Sequence, residues 1–222
     1  MPWHRRAPAL GQSAGAASAT ARIVAGIIAL ILWIGMALQF SASFERLGSV
    51  AETLWIMFRY FTIIANFLAA LVLTGAALGR RQFGSPALLG GATLAMLLVG
   101  IVSGLLLRGL VVELSGGAKL ADLLLHKVTT VLVPLFWLIF APKGGLTRRD
   151  PWLWLLLPVA YFGYALTRGA VEGVYAYPFM DVARIGWLQM ATNALPMALG
   201  FVAGGFALVG LDHWLARRTR EE

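Results

Sequence analysis

Long apolar runs alternate along this chain with short breaks rich in Gly, Pro and charge, and that rhythm predicts its elements. The runs cover residues 22–42, 52–78, 87–112, 121–141, 152–170 and 185–211, and most reach the ~20 residues a helix needs to cross a bilayer. The fifth is the shortest. The breaks hold Gly84-Ser85-Pro86, Ser115-Gly116-Gly117, Pro142-Lys143-Gly144-Gly145 and Tyr177-Pro178, the turn and breaker chemistry expected at helix ends. Residues 1–20 lack periodicity and read as a flexible tail, and 217–222 as a charged one. The pattern therefore predicts an all-α polytopic membrane bundle of six transmembrane helices over 21–216, with no internal repeat and no soluble domain.

Composition agrees with that class. The chain is 59% hydrophobic and 13% charged, outside the range of a soluble domain. A net charge of +8 would suggest nucleic acid if the basic residues formed a patch on a soluble fold, but here they lie in short clusters between apolar runs. Arg5, Arg6, Arg22, Arg80, Arg81, Lys143, Arg148, Arg149, Arg217, Arg218 and Arg220 fall on one side of the predicted bundle. The other side carries Arg46, Lys119, Arg168 and Arg184 with six acids, among them Glu45, Glu172 and Asp181. Cations collect on the cytoplasmic side, so both termini are expected there. The first run is longer than a signal-peptide core and is read as a retained helix. There is no cysteine, hence no disulfide framework and no thiolate chemistry.

Polar residues inside apolar runs are the candidates for function, because they are expensive in a bilayer and face a bundle interior or a cavity. Residues at i, i+3 and i+7 of a helix share a face, so Arg59, Thr62 and Asn66 form one polar stripe on the second run. Asp122, His126 and Thr130 form a stripe on the fourth. Tyr161, Tyr164 and Arg168 share a face of the fifth, and Gln189 and Asn193 a face of the sixth. Nearly all lie in the non-cytoplasmic half, which implies one polar pocket there. Gly100-x-x-x-Gly104 and Gly200-x-x-x-Gly204 mark close helix packing, and Pro134, Pro158 and Pro196 are positioned to kink spans and open space.

A hydroxyl and an imidazole supply a nucleophile and a base, so Thr62 and His126 are the candidate catalytic pair. Asp122, one turn before His126, is placed to orient the ring, and Arg59 or Asn66 to stabilise an oxyanion. Each has a plainer reading. A membrane Thr commonly bonds its own backbone one turn back, His126 fits a packed core histidine, and Asp122 fits a helix cap. The remaining histidines, His4 and His213, lie near the ends without metal-ligand spacing, so no metal or other cofactor is implied.

The segments Phe58-Arg59-Tyr60-Phe61-Thr62-Ile63-Ile64-Ala65-Asn66, Leu125-His126 through Pro134 and Trp137, and Tyr175-Ala176-Tyr177-Pro178-Phe179-Met180-Asp181 together resemble the bacterial predicted six-transmembrane proteins. These are distantly similar to the eukaryotic androgen-induced-protein and androgen-dependent family of intramembrane threonine hydrolases. The resemblance implies a multi-pass protein of the bacterial cytoplasmic (inner) membrane, cleaving a fatty acid ester of the hydroxy fatty acid type, with Thr62 as nucleophile and His126 as base. The Tyr-x-Tyr-Pro-Phe-x-Asp loop belongs to the bacterial side of the comparison and implies nothing about hydrolysis; Asp181 and Arg184, with Tyr177, are expected to cover the pocket mouth. The expected partners are membrane lipids and a lipid-like substrate, and no nucleic acid. The alternatives are a non-enzymatic lipid or small-molecule binder or transporter, in which the same groups hold a headgroup, and a structural subunit whose polar groups only join helices.

Overall fold

Helices carry all the regular structure of the described residues, 18–105 and 114–221 of this computed structural model. The expected tail before Ser18, the end of the third run and Arg108 lie outside them. Helix α1 (Ala19–Leu47) starts at Ser18, whose hydroxyl accepts the Ala21 N–H, and stops at Gly48 in the left-handed conformation. Helices α2 (Val50–Met57) and α3 (Phe61–Ala77) follow, then α4 (Pro86–Leu105). Helix α5 (Gly116–Leu123) runs through a π turn at Leu124–Val128 into α6 (Thr129–Phe140). The last two are α7 (Asp150–Glu172) and α8 (Val182–Glu221), the latter kinked at Gly186 with φ 76°.

Four of these helical stretches among the described residues are long and apolar enough to cross a membrane: α1, α4, the continuous α5–α6 stretch and α8. A fifth candidate is the α2–α3 pair, bent by 97°. The second run is thus not the single straight helix its hydropathy predicts. No Gly or Pro marks the break, and its cause is tertiary. Leaving the helix frees the Arg59 carbonyl and the Phe61 N–H, and two tyrosines satisfy them: Tyr161 donates its O–H to Arg59 O at 2.9 Å, and Tyr177 accepts from Phe61 N at 3.1 Å. Helix α7 is long enough to span, but its Trp, Pro and Tyr residues and Arg168 lower its hydropathy.

Small residues let the helices approach. Ala25, Ala29, Ala65, Ala69 and Ala76 lie in the core between α1 and α3, and a Cβ on Gly100 would come within 3.1 Å of Thr130 across the α4–α6 contact. Among lipid tails the hydrophobic effect does not draw helices together, so such close packing and interhelical hydrogen bonds carry association.

One end of the bundle is tied by polar contacts. Arg22 Nε donates to Ala77 O at 3.0 Å, Trp154 Nε1 to Ala87 O at 2.9 Å, and the Leu146 N–H to Asp212 Oδ2 at 3.0 Å. These contacts bring together the start of α1, the end of α3, the start of α4, the α6–α7 loop and the end of α8. Arg22, Arg80, Arg81, Arg148, Arg149, Arg217 and Arg218 therefore gather at that end, as the charge pattern predicts. The end of α1, the α2–α3 bend, the π turn and the α7–α8 loop lie at the other.

Candidate functional site

At this second end two cavities meet. The polar one, about 910 Å³, is lined by Gln39, Ser43 and Arg46 of α1, Tyr60 and Thr62, and Asp122, His126 and Lys127. The other, about 170 Å³, is apolar and runs between α4, α7 and α8 past Leu98, Val102, Pro158, Phe162, Met197 and Phe201. Thr62, Ser103 and Tyr177 line both and form the wall between them.

Thr62 occupies the first turn of α3, buried to 8% exposure. Its hydroxyl forms no hydrogen bond to the carbonyl one turn back, contrary to the plainer reading. His126 sits in the π turn. A π turn loosens the helical ladder and leaves carbonyls short of partners, and here side chains satisfy them: Asn66 Nδ2 donates to Leu125 O at 3.2 Å, and the Thr130 hydroxyl reaches His126 O and Lys127 O at 3.0 and 2.9 Å. The helix carrying Thr62 therefore faces the turn carrying His126. The two side chains line one cavity without a direct hydrogen bond between them.

Asp122 lies well inside the helix and does not cap it; Ser115 holds the cap position. Its Oδ1 stands 2.9 Å from His126 Nδ1, at ion-pair distance but off the line a hydrogen bond requires, since Nδ1 is buried without a hydrogen-bonded partner. The imidazole thus stands beside the carboxylate without a hydrogen bond to it.

Several expected site residues serve other ends. Arg59, on the bend, does not share the Thr62 face; its guanidinium pairs with Glu172 Oε2. Asn66 is wholly buried and its amide is spent: Nδ2 donates to Thr62 O at 2.8 Å and to Leu125 O, while Oδ1 accepts the Thr129 hydroxyl at 2.9 Å. It cannot also hold an oxyanion. Thr130 is committed to the π turn. Asp181 caps α8, its Oδ1 accepting the Arg184 N–H at 3.2 Å. Gln189 donates to Asn193, and Asn193 donates to Phe179 O at 3.0 Å; neither lines either of these two cavities. Tyr161 lines the apolar chamber, while Tyr164 and Arg168 belong to a cluster outside both.

That cluster centres on Glu172, which the stripes missed. Its carboxylate accepts from Arg168 Nε at 2.6 Å and Trp55 Nε1 at 2.9 Å and pairs with Arg59, and the Arg168 guanidinium lies 4.0 Å from the Trp55 ring centre and 2.7 Å from the Tyr164 hydroxyl. Arg168, and after it Arg59, hold the Glu172 carboxyl below the usual glutamate range. The cluster fastens α2 and the bend to the end of α7, fixing where α3 and Thr62 begin. The i, i+4 spacing of Arg168 and Glu172 was the available signal. Ser103, Arg46 and Lys127 were also missed as cavity residues; Ser103, isolated in an apolar run, was the most legible of them.

Among the described residues no group of three or more His, Asp or Glu is arranged to hold a metal ion. Compared with known family models, curated proteins and solved structures, the chain matches none.

Proposed function

We propose that the protein is an intramembrane hydrolase of lipid-like esters in which Thr62 is the nucleophile and His126 the general base and acid. The observation that carries this reading is that Thr62 and His126 line the same polar cavity while Thr62 also borders an apolar chamber. An acyl chain in that chamber would bring an ester to the wall. His126 takes the proton of Thr62 as Oγ bonds to the ester carbonyl carbon; the tetrahedral adduct collapses, the alkoxy C–O bond breaks, and His126 returns the proton to the departing alcohol. Water then adds to the acyl carbon as the same imidazole takes its proton, the C–Oγ bond breaks, and the proton returns to Thr62 Oγ as the fatty acid leaves. Asp122 orients the charged imidazolium. Esters of hydroxy fatty acids, named by the resemblance to the threonine hydrolases, are the substrate class to try first.

The membrane setting belongs to the same proposal. The bent α2–α3 pair and α7 complete six spans, the arginine-rich end faces the cytoplasm, both termini lie there, and the site opens in the non-cytoplasmic half of a bacterial inner membrane. The second reading is a lipid-binding or transport protein, favoured by the missing hydrogen bond between Thr62 and His126. Hydrolysis of para-nitrophenyl decanoate by the purified protein separates the two. Turnover lost in both Thr62→Ala and His126→Ala, with the thermal midpoint retained, supports the hydrolase; turnover retained in Thr62→Ala ends it.

A further inference from the structure

We infer that Tyr177 is the oxyanion donor of the Thr62 site; this rests on the hydrolase reading and adds a residue to it. Tyr177 precedes Pro178, which restricts it to extended backbone, and it adopts φ −139°, ψ 146°. The loop thereby folds its ring inward. The ring stacks on Phe179 with centroids 5.0 Å apart and meets the edge of Tyr60 at 5.9 Å, leaving the residue 8% exposed. Its oxygen accepts the N–H of Phe61, the residue before Thr62, at 3.1 Å. The oxygen is pinned beside the nucleophile, within hydrogen-bonding reach of the Thr62 and Tyr161 hydroxyls, and no carbonyl or carboxylate of the described residues takes its hydrogen.

Position on the wall shared by the two cavities points to the same group. When Thr62 Oγ adds to an ester carbonyl, the π electrons move onto oxygen, and the charge needs a fixed donor. Of the three residues on the shared wall, Thr62 is the nucleophile, and Ser103 spends its hydrogen on Gly100 O at 3.1 Å. Asn66 has no free N–H, and Arg59 pairs with Glu172 and lines neither cavity. Burial pushes the Tyr177 phenol up, so it stays a neutral donor at physiological pH.

The test compares Tyr177→Phe with wild type in detergent micelles, using para-nitrophenyl decanoate turnover and the binding of two analogues that cannot be hydrolysed. One is a long-chain alkyl trifluoromethyl ketone, which forms a tetrahedral adduct with the nucleophile; the other is the corresponding methyl ether, which cannot. Losing one oxyanion donor lowers kcat about 10²-fold, so Tyr177→Phe should lose about that factor in kcat and in ketone affinity, with KM and ether affinity unchanged. Full kcat in Tyr177→Phe while Thr62→Ala is inactive overturns this inference and leaves the hydrolase standing; activity in Thr62→Ala removes the hydrolase itself. An equal loss of ether binding and of thermal midpoint assigns Tyr177 a structural role instead. Should the Phe variant not fold, difluorotyrosine at 177 keeps the ring and the acceptor while changing donor strength; unchanged kcat there also overturns the inference.

Discussion

The side-chain amide of Asn66 donates to the carbonyl oxygen of Leu125 at 3.2 Å, and through that bond the helix bearing Thr62 is locked to the π turn bearing His126. Asn66 lies one turn after Thr62 and Leu125 immediately before His126, so the contact sets the register of the two candidate catalytic residues. Its other bonds, to Thr62 O and from Thr129, leave the amide no freedom to rotate.

Asn66→Ala should therefore destabilise the protein. Stranding buried polar partners costs about 1–3 kcal/mol, and since hydrogen bonds between membrane helices average about 0.6 kcal/mol each, the lower half of that range is expected. Thermal unfolding in detergent measures it. A midpoint equal to wild type would show that the α3–π-turn register does not depend on this amide.

Asp122→Asn keeps the size of the side chain and removes the charge that faces His126 Nδ1. With the imidazolium no longer stabilised, kcat for ester hydrolysis should fall about 10²-fold, the lower range of positioned acid–base catalysis, while KM stays near wild type. Unchanged kcat would reduce the 2.9 Å approach to surface proximity.

The Glu172 cluster predicts a pH dependence. Its carboxyl is held below its ordinary value by Arg168 and Arg59, so the ionised form is favoured in the folded protein. The stability it contributes is complete above the unfolded glutamate value of about 4.3 and is lost as pH falls through the lower folded value. The difference in thermal midpoint between wild type and Glu172→Gln should be constant from neutral pH to about pH 5 and shrink below about pH 4. A difference that grows on acidification would contradict the ion-pair account.

Gly75→Ala tests the packing at the arginine-rich end. A Cβ there would lie 2.2 Å from Phe83 Cγ and 2.7 Å from Phe83 Cβ, too close for the ring to swing clear with its own Cβ in the way. Overpacking of this kind costs about 1–3 kcal/mol. The variant should unfold earlier but, lying at the end away from Thr62, retain its kcat; an unshifted midpoint would show that the α3–Phe83 contact is loose.

The sequence was informative wherever local physics decides. Apolar run length predicts α1, α4, the α5–α6 stretch and α8, because a helix satisfies its own backbone and needs no partner to be recognised. Charge clustering marks the end that holds Arg22, Arg80, Arg149 and Arg217, and the i, i+4 spacing of Asp122 and His126 anticipates their contact. The same reasoning extended one helix straight through residues 52–78, which placed Arg59 beside Thr62, and it assigned Asp181, Gln189 and Asn193 to a pocket they do not line.

What run length, charge and spacing determine is therefore the helical class, the arginine-rich end and the stripes along each helix, since each is read along a single run or break without knowing which helices touch. Tertiary structure alone decides the break before Phe61, the π turn under His126 and the wall shared by Thr62, Ser103 and Tyr177. Each exists because a distant side chain satisfies a backbone group that the regular helix would have kept: Tyr161 at Arg59 O, Tyr177 at Phe61 N–H and Asn66 at Leu125 O. No window along the chain contains both members of those pairs, so Thr62 and His126 stand out as costly polar residues in the sequence but share a cavity only in the fold.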